Sequence, residues 1–131
     1  MKTILIVDDD ADFAEAVASY LRVNGFQVLE ARNGGEGLRL ARIHHPDLVI
    51  MDVVMSERTE GFFTVQEMRR TASLKDVPIF VVSSLYSQHP GFSILPERGW
   101  LAHDAFFSKP VDMPVFLEQI RQRLEIEEVA G

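Results

Sequence analysis

Five short apolar runs recur along the chain, and they constrain the fold more than any other feature. They read TILIV (3–7), FQVLEA (26–31), DLVIMDVVM (47–55), PIFVVS (78–83) and AFFS (105–108). Most are continuous rather than alternating. That suits strands buried on both faces of a parallel sheet. Helix-period stretches separate them. In 11–24, Phe13, Val17 and Leu21 recur every fourth residue, with Ala14 and Ala18 beside them, giving one apolar face. The pattern is β-α repeated five times. It predicts an α/β fold with right-handed crossovers and helices on both sheet faces.

Local signals place the helix ends. Asp10 is positioned to cap the first helix and Asn33 a second over 34–44, which Pro46 ends. Gly34, Gly35 and Gly37 weaken that second helix. The run Gly34-Gly35-Glu36-Gly37 lacks the G-K-[ST] ending of a phosphate loop and follows the second strand, so it reads as a turn. A third helix is expected over roughly 62–72 and a last over about 113–127. Residues 84–104 contain Pro90, Gly91, Pro96 and Gly99, which interrupt any long helix. A long loop with a short or displaced helix is expected there.

With 131 residues the chain fits one domain, read as 1–127 with a short tail at 128–131. There are no cysteines, which excludes disulfides, thiolate metal sites and a thiol nucleophile. The N-terminal apolar run is too short for a signal peptide or a membrane span, so a cytoplasmic location without membrane contact is expected. The net charge of −7 argues against direct nucleic-acid binding and suits cations or basic partner surfaces.

In an open parallel α/β sheet, ligands bind beyond the carboxyl ends of the strands. Asp8, Asp9 and Asp10 follow the first strand and Asp52 ends the third. Ser83 and Ser84 follow the fourth, and Lys109-Pro110 the fifth. Adjacent carboxylates repel, by about 4 kcal/mol for a pair about 4 Å apart at an effective dielectric near 20. Carboxylates without histidine or cysteine nearby are hard oxygen ligands that favour Mg²⁺, which would offset that repulsion. Lys109 and Ser83 could stabilise phosphoryl oxygens. Asp52, flanked by apolar residues, is then the expected nucleophile. Asp10 reads as a helix cap rather than a metal ligand, and Ser84 as a surface hydroxyl. His44, His45, His89 and His103 are not at zinc spacing.

The segments ILIVDDD, PDLVIMD, PIFVVSS and FFSKP, in this order, make the chain resemble a response-regulator receiver domain of the CheY-like superfamily. That resemblance implies a flavodoxin-like, five-stranded parallel sheet in the order 2-1-3-4-5. It implies that Asp52 accepts a phosphoryl group from the phosphohistidine of a sensor kinase or phosphotransfer protein. Asp8 and Asp9 match the acidic pair that holds Mg²⁺, with Asp9 the more direct ligand, and the backbone carbonyl of Val54 matches a further ligand. Ser83 and Phe106 match the switch pair, and Lys109 the lysine that contacts the phosphoryl group. The peptide before Pro110 is often cis in the family. The implied role is a signalling switch toward a downstream protein, catalysing only its own phosphorylation and dephosphorylation.

Three departures stand out. The loop MSERTEG (55–61) lacks the family's usual proline and reads one residue longer, and the stretch from Ser83 to Lys109 is also longer than usual. Val54 and Leu85 are apolar where the family varies, and offer no hydrogen bond to a hydrolytic water. Slow loss of the phosphoryl group is the expected result; unchanged decay in a Val54→Asn, Leu85→Glu variant would contradict it. Alternative readings are a receiver fragment of a longer regulator, an aspartate-nucleophile phosphatase, and a phosphorylation-independent interaction module. The phosphatase class usually carries a second acid two residues after the nucleophile, where this chain has Val54.

Overall fold

A computed structural model describes residues 1–52, 60–83 and 105–124. The carbonyl of Val54, Leu85, the 84–104 segment for which a long loop is expected, most of the MSERTEG loop and the 128–131 tail lie outside these residues. So does the side chain of Phe62. Among the described residues, five strands form one parallel sheet: β1 (Thr3–Val7), β2 (Gln27–Ala31), β3 (Leu48–Asp52), β4 (Ile79–Ser83) and β5 (Ala105–Ser108). Their order is β2-β1-β3-β4-β5, as the resemblance implies. Four helices are described: α1 (Ala11–Val23), α2 (Gly34–His44), α3 (Glu60–Arg70) and α4 (Met113–Arg123).

Strand parity sorts the core into two layers, because successive side chains point to opposite faces. Leu5, Val7, Val49, Met51, Ile79 and Val81 meet Ala41 of α2 and Val65 and Met68 of α3. Ile4, Ile6, Leu48, Ile50, Phe80 and Val82 meet Val17 and Leu21 of α1 and Phe116 and Ile120 of α4. Every residue of β3 and β4 is buried, which is why these segments lack polar alternation. Each large apolar side chain so buried stabilises the fold by about 1.5–3 kcal/mol before entropy is counted. Phe107 stacks edge-on against Phe116 at 4.8 Å and lies 5.3 Å from Phe80, tying α4 to β4 and β5.

The caps follow the residue chemistry. Asp10 and Asn33 accept hydrogen bonds from the N–H groups of Phe13 and Glu36, at 3.1 and 2.8 Å. At the other end of α1, Gly25 adopts φ 93°. Its N–H donates to Arg22 O, and the Phe26 N–H reaches back to Leu21 O. This is a Schellman closure, and Leu21 and Phe26 pack in the same core layer.

The helix expected over 34–44 with Asn33 as its cap is α2. The separate reading of Gly34-Gly35-Glu36-Gly37 as a turn needs correction: the run forms the first turn of that helix. A Cβ on Gly37 would stand 2.6 Å from Val7 Cγ2, so the glycine lets α2 settle against the end of β1. Close packing there offsets the helix penalty that the sequence suggests.

Candidate functional site

The carboxyl ends of β1, β3, β4 and β5 share one edge of the sheet. Asp8 follows β1 directly, and its N–H extends the sheet by donating to Ala31 O at 3.0 Å. The Asp8 side chain is fully buried. Its Oδ1 accepts the Asp10 N–H at 2.8 Å, and its Oδ2 accepts a hydrogen bond from Lys109 Nζ at 2.8 Å. Asp52, the last residue of β3, is also buried, and its Oδ2 lies 3.3 Å from the same ammonium. Lys109 therefore bridges two acids that come from different strands.

Lys109 is placed by the β4–β5 pairing. Its backbone N–H donates to Ser83 O at 3.0 Å, continuing the ladder past Ser108. The Lys109–Pro110 peptide is cis. Burial alone would pull the ammonium's pKa down. The hydrogen bond that the ammonium donates to Asp8 and the charges of Asp52 and Asp8 reverse this and hold it above the ordinary lysine value. The lysine stays charged at neutral pH.

Asp9 is exposed beside this pair. Asp8, Asp9 and Asp52 each offer a carboxylate oxygen, and the three lie within 4.8 Å of one another. Among the described residues, three carboxylates gather around one ammonium. All the donors are hard oxygens, which fits Mg²⁺. Asp8 already accepts two hydrogen bonds and is fully buried, whereas Asp9 is exposed.

Ser83 is fully buried at the end of β4, one position beyond the residue paired with Asp52. Phe106 is half-buried in β5, opposite Val81, and packs against the α2–α3 layer. The expected residues Asp8, Asp9, Asp52, Ser83 and Lys109 thus stand at one edge, with Phe106 just behind it. The Asp10 side chain serves α1, as expected, while its backbone N–H holds Asp8.

Sequence reasoning missed Phe13. Its ring face lies 4.3 Å from Lys109 Nζ. In the sequence the residue counts only as part of the apolar face of the first helix. Its place in the first turn, beside the acid loop, was the available signal.

Comparison with known proteins agrees with the fold. The chain is 32% identical over 123 residues to Protein PilH of Pseudomonas aeruginosa, covering 92% of this chain and 95% of that protein. It is 28% identical over 123 residues to the polar-differentiation response regulator DivK of Brucella ovis, covering 94% and 96%. Among solved structures, the chemotaxis protein CheY4 of Vibrio cholerae superposes with a TM-score of 0.78 at 26% identity, covering 95% of this chain and 98% of that one. The family described as the response regulator receiver domain matches residues 4–121, and the chain belongs to that family.

Proposed function

We propose that this receiver domain is a Mg²⁺-dependent phosphoacceptor, loaded at Asp52 from a phosphohistidine of a sensor histidine kinase or a phosphotransfer protein. The observation that carries the reading is Lys109 Nζ, within hydrogen-bonding distance of both Asp8 and Asp52 at an edge where Asp9 adds a third carboxylate. Asp9, Asp8 and Asp52 would hold Mg²⁺, with the Val54 carbonyl as a further ligand. A bound Mg²⁺ supplies positive charge against the phosphoryl oxygens.

An Asp52 carboxylate oxygen attacks phosphorus. The N–P bond of the donor imidazole breaks, and the imidazole leaves as its nitrogen takes up a proton. Lys109 faces the transferred group and balances its added charge. Ser83 contacts a phosphoryl oxygen through its hydroxyl, and Phe106 follows it inward. These shifts bias an existing equilibrium between inactive and active forms, which a downstream protein reads. The domain acts as a cytoplasmic switch rather than a metabolic enzyme, and its acidic charge favours protein partners over nucleic acid.

The test is Mg²⁺-dependent labelling of the whole chain by a small acyl phosphate, with Asp52→Asn alongside. Labelling should require Mg²⁺ and vanish in the variant. Labelling that survives the substitution would overturn the assignment.

A further inference from the structure

The Lys109 ammonium has two kinds of neighbour among the described residues: the carboxylates of Asp8 and Asp52, and the face of Phe13. The two carboxylates change during the proposed reaction. Asp52 becomes an acyl phosphate, and Asp8 shares its charge with a cation. The aromatic ring does not change. We propose that Phe13 is a positioning residue that keeps Lys109 aimed at the acceptor before, during and after transfer. This inference rests on the reading of Asp52 as the phosphoacceptor.

The local structure supports the assignment. The Phe13 N–H donates to Asp10 Oδ1 at 3.1 Å, and the Asp10 N–H donates to Asp8 Oδ1 at 2.8 Å. Asp8 Oδ2 accepts from Lys109 at 2.8 Å, and Lys109 lies over the Phe13 ring at 4.3 Å. Four residues therefore close a circuit from the acid loop, through the helix cap, to the ring and back through the lysine. The cap fixes where the first turn of α1 begins, and that fixes the ring. Lysine is a point charge on a flexible four-carbon stem, so it benefits from a third restraint. A ring face attracts an ammonium through its quadrupole, most strongly when water is kept away, and the Lys109 side chain is only 15% exposed. An aliphatic side chain would fill the same space without that attraction.

The experiment separates volume from aromatic charge. In the full chain, Phe13 is replaced by Leu, Tyr or Trp, and, by amber suppression at this position alone, by mono-, tri- and pentafluorophenylalanine. Labelling by an acyl phosphate is followed at saturating donor and Mg²⁺, together with the apparent KM for the donor. Phe13→Leu should slow labelling about fivefold at saturation, with the KM within about twofold, the scale of a half-buried cation–π contact. Tyr and Trp should restore the rate, and successive fluorination should lower it stepwise at unchanged melting temperature. Independently of phosphorylation, NMR should show the Lys109 ε-protons shifted upfield by the ring, and the shift should be lost in Phe13→Leu and kept in Phe13→Tyr.

Labelling of Phe13→Leu or pentafluorophenylalanine protein at the parent rate would overturn the inference. So would the absence of the ring-current shift. If the parent itself fails to label, or labels without Asp52, the phosphoacceptor reading falls instead, and the NMR shift still decides whether the ring holds the lysine.

Discussion

β1 and β3 lie side by side, and their two ends treat charge differently. At the amino ends, Asp47 Oδ2 accepts the Thr3 N–H at 2.8 Å, and the Asp47 N–H returns a bond to Thr3 O at 2.8 Å. Nearby, the Arg69 guanidinium donates to the carbonyls of Leu74, Lys75 and Val77 ahead of β4, at 3.4, 3.2 and 2.7 Å. There, an acid and a base each engage backbone, which cannot move away. At the carboxyl ends, Asp8 and Lys109 engage each other, and Lys109 also engages Asp52. Side-chain partners can be exchanged for an ion or a phosphoryl group, whereas backbone partners cannot. The amino edge therefore holds the fold, while under the proposed function the carboxyl edge is the one that changes state.

The largest effect should come from adding Mg²⁺. At a concentration about 100 times its Kd, an ion that binds only the folded protein raises stability by about 2.7 kcal/mol. Asp9→Ala should abolish both that increment and Mg²⁺-dependent labelling. Asp47→Ala, at the opposite edge, should lower stability yet keep the full increment. Denaturant melts of the three proteins with and without Mg²⁺ would decide it. An increment retained by Asp9→Ala, or lost in Asp47→Ala, would erase the distinction between the edges.

A smaller effect is expected where α2 meets the end of β1. Val7 is a stiff, fully buried side chain, and a methyl group on Gly37 would press on both its γ-carbons. Gly37→Ala should destabilise the protein by about 1–3 kcal/mol, despite alanine's better helix propensity. Neutral or stabilising behaviour in a urea melt would show that α2 can retreat from the sheet freely. Asp8 adjoins Val7, so this contact also sets how firmly the carboxyl edge is held.

The strands were legible because continuous burial leaves a continuous apolar run. TILIV and AFFS match β1 and β5 residue for residue. The site was legible because strand ends in a parallel sheet converge, which brings Asp8 to Lys109 across 101 positions of chain. The helix over 34–44 is legible from its cap, but the turn reading of its glycines fails because propensity is a property of the helix alone, while Gly37 answers to the distance between helix and sheet. Phe13 was misread for a related reason. An aromatic at helical spacing has an ordinary role in a core, and only the placement of Lys109 over its ring gives it a second one.

The smallest effects should come from the two ends of α1, which lie at the two edges of the sheet. Gly25→Ala forces a Cβ into a left-handed conformation and should cost about 1–2 kcal/mol, with labelling unchanged. Asp10→Ala removes the cap on the Phe13 N–H and should cost about 1 kcal/mol. It keeps the backbone N–H that holds Asp8, so its labelling should fall far less than that of Asp9→Ala. The pair sharpens the comparison, because two substitutions of similar energetic size act at opposite edges. If Asp10→Ala labels as poorly as Asp9→Ala, the three consecutive aspartates do not divide into ion holders and a cap. If Gly25→Ala also loses labelling, the amino edge is not independent of the site at all.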